Sequence, residues 1–184
     1  VWHTLEPGVP AYLERHVMPP DEQWIPYIEA WEPMYILGHG NACRVHYENG
    51  GRAYFGLTSK SLLQRVAKYH AIDLNGLRQH FYAATRRSQT PPLPVASRGL
   101  VFFAFKARSY QDRRWRNDGA MGYVANERIQ RWEAVPGVGR PRIRVTLQSG
   151  AEFEALMRAG HFQAAIDTAE YFQFYLIKRR IQPH

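Results

Sequence analysis

Glycine-bearing turns punctuate the chain beyond residue 33 and leave room only for short strands between them. Gly38-His39-Gly40-Asn41, Glu48-Asn49-Gly50-Gly51 and Gln148-Ser149-Gly150 each separate two apolar runs. Gly and Asn supply the positive φ that tight hairpin turns require, so the flanking runs read as antiparallel strands at 34–37, 42–47 and 52–57, and again at 142–147 and 152–156. Further strands are expected at 99–107, 122–125 and 128–133.

Helical spacing interrupts this pattern in three places. Thr58-Ser59 opens a helix predicted to run to about residue 70, with Leu62, Leu63, Val66 and Ala67 on one face. Asp73 caps a second, along which Leu74, Leu77, Phe81 and Tyr82 recur. Phe162, Ala165, Ile166, Ala169, Phe172 and Leu176 form the stripe of a closing helix predicted over 161–181. Its basic end, Lys178-Arg179-Arg180, suits the negative pole of the helix dipole. The expected fold is therefore α+β and β-rich, an elongated antiparallel strand assembly with two central helices and a long C-terminal helix. Packing is the expected role of the central pair. A helix-turn-helix is the alternative, since the connector is short and Arg78 lies on the second helix.

The opening is different in kind. Pro7, Pro10, Pro19, Pro20, Pro26 and Pro33 interrupt regular structure, while Trp2, Tyr12, Trp24, Tyr27 and Trp31 offer packing surface. Short helical pieces are expected at 11–16 and 21–30. This divides the chain into an acidic, Pro- and aromatic-rich extension at 1–33 and a body at 34–182. Residues 1–40 carry one base, Arg15, against six acids, a net of −5, and the remainder has 23 bases against 10 acids, a net of +13. A basic body attracts polyanions at long range whatever its fold, which makes nucleic acid the first partner to consider. Twenty of the bases are Arg, whose planar fork fits phosphates and guanine edges; a codon bias toward Arg accounts equally for the excess.

The sharpest local signal is the stretch from Lys106 to Arg116, where Lys106, Arg108, Arg113, Arg114 and Arg116 surround Tyr110 and Trp115 with Asp112 the sole acid. Bases interleaved with flat rings neutralise phosphates while the rings pack on sugars or bases; a solvated strand connection is the plainer reading. His39 and Asn41, with Arg44 beyond them, form a second candidate, because two glycines permit close backbone approach and an Asn can bond an adenine edge. A tight turn held by Asn41 explains the same residues. Arg140, Arg142 and Arg144, spaced by two, would share one strand face as a basic ladder or a solvated one. Arg158, between the last strand and the closing helix, stands where a side chain can reach a phosphate.

Catalytic patterns are weak. The eight His residues make no metal-ligand motif, no GxSxG occurs, and Gly137-Val138-Gly139 lacks the Lys of a phosphate-cradling loop. Glu152 and Glu154 share a strand face as a metal-dependent nuclease would need, but no Lys follows them. No enzyme activity, cofactor or metal is expected. One cysteine, Cys43, excludes an internal disulfide and points to the cytosol. The longest apolar stretch, residues 100–105, is far too short to span a bilayer, so no membrane partner is expected.

Thr90-Pro91-Pro92-Leu93-Pro94-Val95, then Gly99-Leu100-Val101-Phe102-Phe103-Ala104-Phe105, then Gly122-Tyr123-Val124, resembles the middle of the bacterial competence transcription factor family ComK. Val145-Thr146-Leu147-Gln148-Ser149-Gly150 before a long helix resembles the end of that family. More distantly, Tyr35-Ile36-Leu37 with Gly40-Asn41, Glu48-Asn49-Gly50 and Met157-Arg158 resembles LytTR-type DNA-binding domains, although Gly119-Ala120-Met121 replaces their His-Arg-Ser and the insertion at 73–94 is extra.

These resemblances imply a sequence-specific regulator of transcription that binds double-stranded DNA at A/T-rich promoter boxes as a homo-oligomer. Phosphates would be held by Arg108, Arg113, Arg114, Arg116 and Arg144, and bases or grooves read by His39, Asn41 and Arg158, with Lys106 and Arg44 also among the DNA-contacting residues. The acidic opening would pack on the body, support self-association or meet a regulatory protein. The alternatives are a nuclease or RNA-binding protein and an adaptor for acidic proteins.

Overall fold

The computed structural model describes residues 2–3, 12–107 and 120–179. Among them, eight strands form one sheet and three form another. The first sheet comprises β1 (Trp2–His3), β2 (Tyr12–Leu13), β3 (Ile28–Ile36), β4 (Gly40–Tyr47), β5 (Arg52–Phe55), β6 (Leu93–Val95), β7 (Leu100–Lys106) and β8 (Met121–Ala125). Its order is β2-β5-β4-β3-β8-β7-β6, antiparallel from β5 to β6; β2 pairs parallel with β5, and β1 pairs parallel with β3. The second sheet, β9 (Ile129–Ala134), β10 (Ile143–Leu147) and β11 (Glu152–Ala155), is antiparallel with β10 in the middle. Three helices complete the fold: α1 (Ser59–Tyr69), α2 (Leu74–Thr85) and α3 (Ala159–Lys178). The α+β class expected from the sequence is what the chain adopts.

The turns behave as their residues dictate. Gly38 (φ +80°) and Gly40 (φ +81°) carry the β3–β4 turn in the left-handed region. In the β4–β5 turn Asn49 Oδ1 accepts from the Gly51 N–H at 2.8 Å.

The N-terminal boundary differs from the sequence reading. β3 begins at Ile28 and runs through the division expected after Pro33, and Trp24, Ile25, Ile28 and Trp31 are core residues. The piece expected as helix at 21–30 is instead two short 3-10 turns, Asp21–Gln23 and Ile25–Tyr27, followed by strand. Pro33 is tolerated inside β3 because of what flanks it. On the side of β3 away from β4, β8 pairs only with Ala30 and Trp31, and β1 only with Tyr35 and Ile36. Pro33 falls between the two, where its missing N–H interrupts no ladder on that side.

The large sheet is buried on both faces. One face, with Trp31, Cys43, Val45, Phe55, Phe102 and Tyr123, packs on Leu62, Leu63 and Val66 of α1 and Leu77 and Phe81 of α2. The other, with Ala30, Val101, Phe103, Phe105 and Val124, packs on Val145, Leu147 and Phe153 of the small sheet. α3 serves both cores, through Phe162 and Ala169 in the second and Phe172 and Leu176 in the first. α1 and α2 are thus packing elements. Thr58 caps α1 by accepting from the Ser61 N–H, and Asp73 caps α2 by accepting from those of Asn75 and Gly76.

A polar thread fixes α1 to the sheet. Trp31 Nε1 donates to Ser59 Oγ (3.1 Å), and Ser59 Oγ donates to the Met121 carbonyl (2.6 Å). Gly122 beside it allows the closest approach in the sheet, since a Cβ there would stand 2.5 Å from Phe105 Cζ and 2.7 Å from the Trp31 carbonyl oxygen.

Candidate nucleic-acid interface

The two sheets meet where Leu156, just past β11, donates its N–H to the Lys106 carbonyl at 2.6 Å. Around this joint opens a cleft of about 490 Å³ lined by Lys106, Met121, Arg140, Pro141, Leu156, Met157, Arg158 and His161. Each wall has a different origin. Lys106 ends β7 and Met121 begins β8; Arg140 and Pro141 come from the β9–β10 connection; Arg158 and His161 flank the start of α3. Lys106, Arg140, Arg158 and His161 are exposed. Met121, Leu156, Met157 and Pro141 supply apolar surface, and among the described residues that line it none is acidic. The first turn of α3 also contains no acid and has no side-chain cap, so the positive pole of the helix adds to the field of the three permanent cations.

Lys106 and Arg158, widely separated in sequence, are thereby brought together. Arg108, Arg113, Arg114 and Arg116 lie outside the described residues. Their connection to the cleft is covalent nonetheless: the chain leaves through Lys106-Ala107 and returns through Ala120-Met121, the Ala107 N–H donating to the Ala120 carbonyl at 2.8 Å. Both stems of the Arg-rich segment border the cleft.

The other candidates sit elsewhere. His39 and Asn41 belong to the β3–β4 turn and the first residues of β4, and both have partners. Because Trp31 pairs with Tyr123, Met121 lies level with Pro33, and the turn begins roughly 14 Å further along the same end of the sheet, at 3.4 Å per residue.

Arg44 is committed internally. Its Nη2 donates to Glu32 Oε1 at 2.7 Å across the β3–β4 ladder, and His46 Nε2 lies 3.1 Å from Glu32 Oε2. Burial pushes the Glu32 carboxyl up, but the hydrogen bond from His46 and the Arg44 charge outweigh it and hold it below its ordinary value.

Arg144 stands on the outer face of the small sheet, 3.9 Å from Glu133, and Arg142 beside it meets Glu154 at 3.2 Å. With Arg131 and Glu152 on the same strands this face alternates in sign and is a solvated, self-compensating surface. The expected ladder is broken, because β10 begins only at Ile143 and Arg140 turns into the cleft. Glu152 accepts from Thr146 Oγ1, and among the described residues no group of three or more potential metal ligands occurs.

Sequence reasoning missed His161 and the position of Arg140. The visible signal was Arg140 between Gly139 and Pro141, since a proline has no N–H to donate to a ladder and a glycine weakens a strand.

Among the described residues, no helix is long and apolar enough to cross a membrane. Comparison with known proteins finds no matching family model, no matching curated protein and no matching solved structure. The class these observations define is an α+β protein with a basic, apolar-floored cleft at the joint of two sheets.

Proposed function

We propose that the chain is a sequence-specific double-stranded DNA-binding regulator of transcription of the ComK type, acting in the cytoplasm as an oligomer on A/T-rich promoter boxes. The observation that carries this reading is the convergence of Lys106, Arg140 and Arg158 on one cleft, at both stems of a segment holding four further Arg residues. Phosphates bind at the cleft and the segment, and these contacts set register and orientation. In this reading base edges are read by the β3–β4 turn with His39 and Asn41, which lies at the same end of the sheet.

Fluorescence anisotropy tests this with a paired A/T-box duplex and a scrambled duplex of equal length, each across a salt series. Tighter binding to the box duplex is expected, with log affinity falling linearly in log salt. Lys106→Ala and Arg158→Ala should each reduce that slope by about 0.9, the value for one lost phosphate contact. The Arg113/Arg114/Arg116 triple Ala variant should weaken binding to both duplexes and reduce the slope by about 2.7, about 0.9 for each lost phosphate contact. Arg144→Ala, which removes a residue already beside Glu133, should leave the slope unchanged. Equal weak binding to both duplexes would reduce the reading to nonspecific polyanion affinity, and no binding at moderate salt would refute it.

A further inference from the structure

α3 carries a second apolar strip besides the one it buries. Tyr171, Phe174 and Ile177 are 51%, 61% and 69% exposed, on the side of the helix away from Phe172 and Leu176. Toward the neighbouring helix, the Tyr171 hydroxyl donates to the Ala84 carbonyl of α2 at 3.5 Å. Isolated exposed apolar residues are ordinary. Two aromatic rings and an isoleucine on successive turns of one helix form a contiguous strip of the composition that interfaces favour.

The charges beside the strip identify its occupant. Tyr171 and Ile177 lie three residues either side of Phe174, and Glu170 and Lys178 lie four residues either side with opposite sign. The pattern is thus complementary to its own reverse. An antiparallel copy of α3 crossing at Phe174 brings Tyr171 level with the partner subunit's Ile177 and Glu170 level with the partner subunit's Lys178. A parallel copy would set like charges side by side. An unrelated helix would have no reason to match this symmetry, whereas a two-fold dimer requires it. Glu170 Oε1 already accepts from Asn126 Nδ2 at 3.1 Å, which holds the carboxylate at the edge of the strip.

We propose that the chain forms a two-fold homodimer through α3, antiparallel and centred on Phe174. This pairing does not rest on the DNA-binding reading, and its test contains no DNA.

Sedimentation velocity over a concentration series measures it. The wild-type chain should pass from monomer to dimer, and Phe174→Glu should raise the dissociation constant by at least about tenfold. Glu170→Lys and Lys178→Glu should each weaken self-association alone. An equimolar mixture of those two variants should recover it to within about threefold of wild type, because every inter-subunit pair in the mixed dimer is again of opposite sign. All three side chains sit at the surface, so far-UV circular dichroism should be unchanged; should Phe174→Glu lose structure, the charge pair decides the matter alone. A wild-type chain that stays monomeric throughout, a dimer unmoved by Phe174→Glu, or charge variants that mixing does not rescue would each overturn the proposal.

Discussion

Glu32 is the group whose replacement should tell most about what holds the large sheet together. Its side chain is 13% exposed, that of Arg44 22% and that of His46 3%, so the three form a nearly dry ionic cluster between β3 and β4. Removing one partner of a buried pair costs about 3–5 kcal/mol, because the other charge is left without compensation. Arg44 keeps a partial route to water, which puts Glu32→Ala near the lower bound, about 3 kcal/mol. Glu32→Gln keeps the shape and one acceptor and loses the charge; forfeiting a charge-assisted bond should cost about 1.5–3 kcal/mol.

The two variants also differ from wild type in how stability depends on pH. The Glu32 carboxyl titrates below its ordinary value in the folded chain and near 4.3 in the unfolded one. Its contribution is therefore complete above about pH 4.3 and is lost as pH falls through the lower, folded value. Urea unfolding followed by the fluorescence of the buried Trp24 and Trp31 measures this, comparing wild type with Glu32→Gln at pH 7 and in acid. The gap should be full at pH 7 and should shrink as acid protonates the wild-type carboxyl. A Glu32→Gln penalty under about 0.5 kcal/mol at pH 7, or one equally large at both ends, would refute the argument, since either means that the charge is not what stabilises the site.

Ser59→Ala should cost about 1–3 kcal/mol in the same assay, because it strands the buried Trp31 Nε1 and the Met121 carbonyl together. Gly122→Ala should cost at least as much, about 1–3 kcal/mol from overpacking, with the sheet forced apart where its Cβ meets Phe105 and the Trp31 carbonyl; a wild-type melting temperature would contradict that geometry. Asp73→Ala should cost about 1 kcal/mol through loss of the α2 cap, and Asp73→Ser should restore most of it.

Much of this fold is legible in the sequence because its signals are local. Gly38, Gly40, Gly50 and Gly150 all adopt positive φ, so the turns they mark sit where turn chemistry requires them. Thr58 and Asp73 cap the helices they precede, and the stripe of α3 is buried as its spacing demands. What escapes a sequence reading is non-local. Nothing in Trp24-Ile25-Pro26-Tyr27-Ile28 announces that the chain will enter the middle of a sheet, because the partners that make β3 possible are strands β4 and β8, the latter more than ninety positions away. Prolines there read as helix breakers, and only the gap between β8 and β1 shows why Pro33 can occupy a strand. The cleft is non-local in the same way: Lys106, Arg140 and Arg158 are separated by 34 and 18 positions, and no periodicity joins them.

The charge division is the case where a true sequence feature misleads about space. Three of the acids among the first forty residues are drawn into the body: Asp21 pairs with Arg65 at 2.7 Å and Glu32 with Arg44 at 2.7 Å, and Glu29 is buried in the sheet. Within the body, Glu48 lies 3.4 Å from Arg98 and 3.3 Å from Arg128, and Glu133 and Glu154 attend Arg144 and Arg142. Arginine is abundant, but much of it is spent on internal pairing, and a paired Arg adds little to the field beyond a Debye length, ~8 Å at physiological salt. The net charge of +8 must therefore be carried by cations that have no acid beside them. The cleft gathers Lys106, Arg140 and Arg158 on several different elements, and its lining among the described residues includes no carboxylate. A uniform basic body would attract polyanions to every face alike. Compensation elsewhere makes the same total charge directional, which is what the proposed binding of a phosphate backbone at the cleft requires.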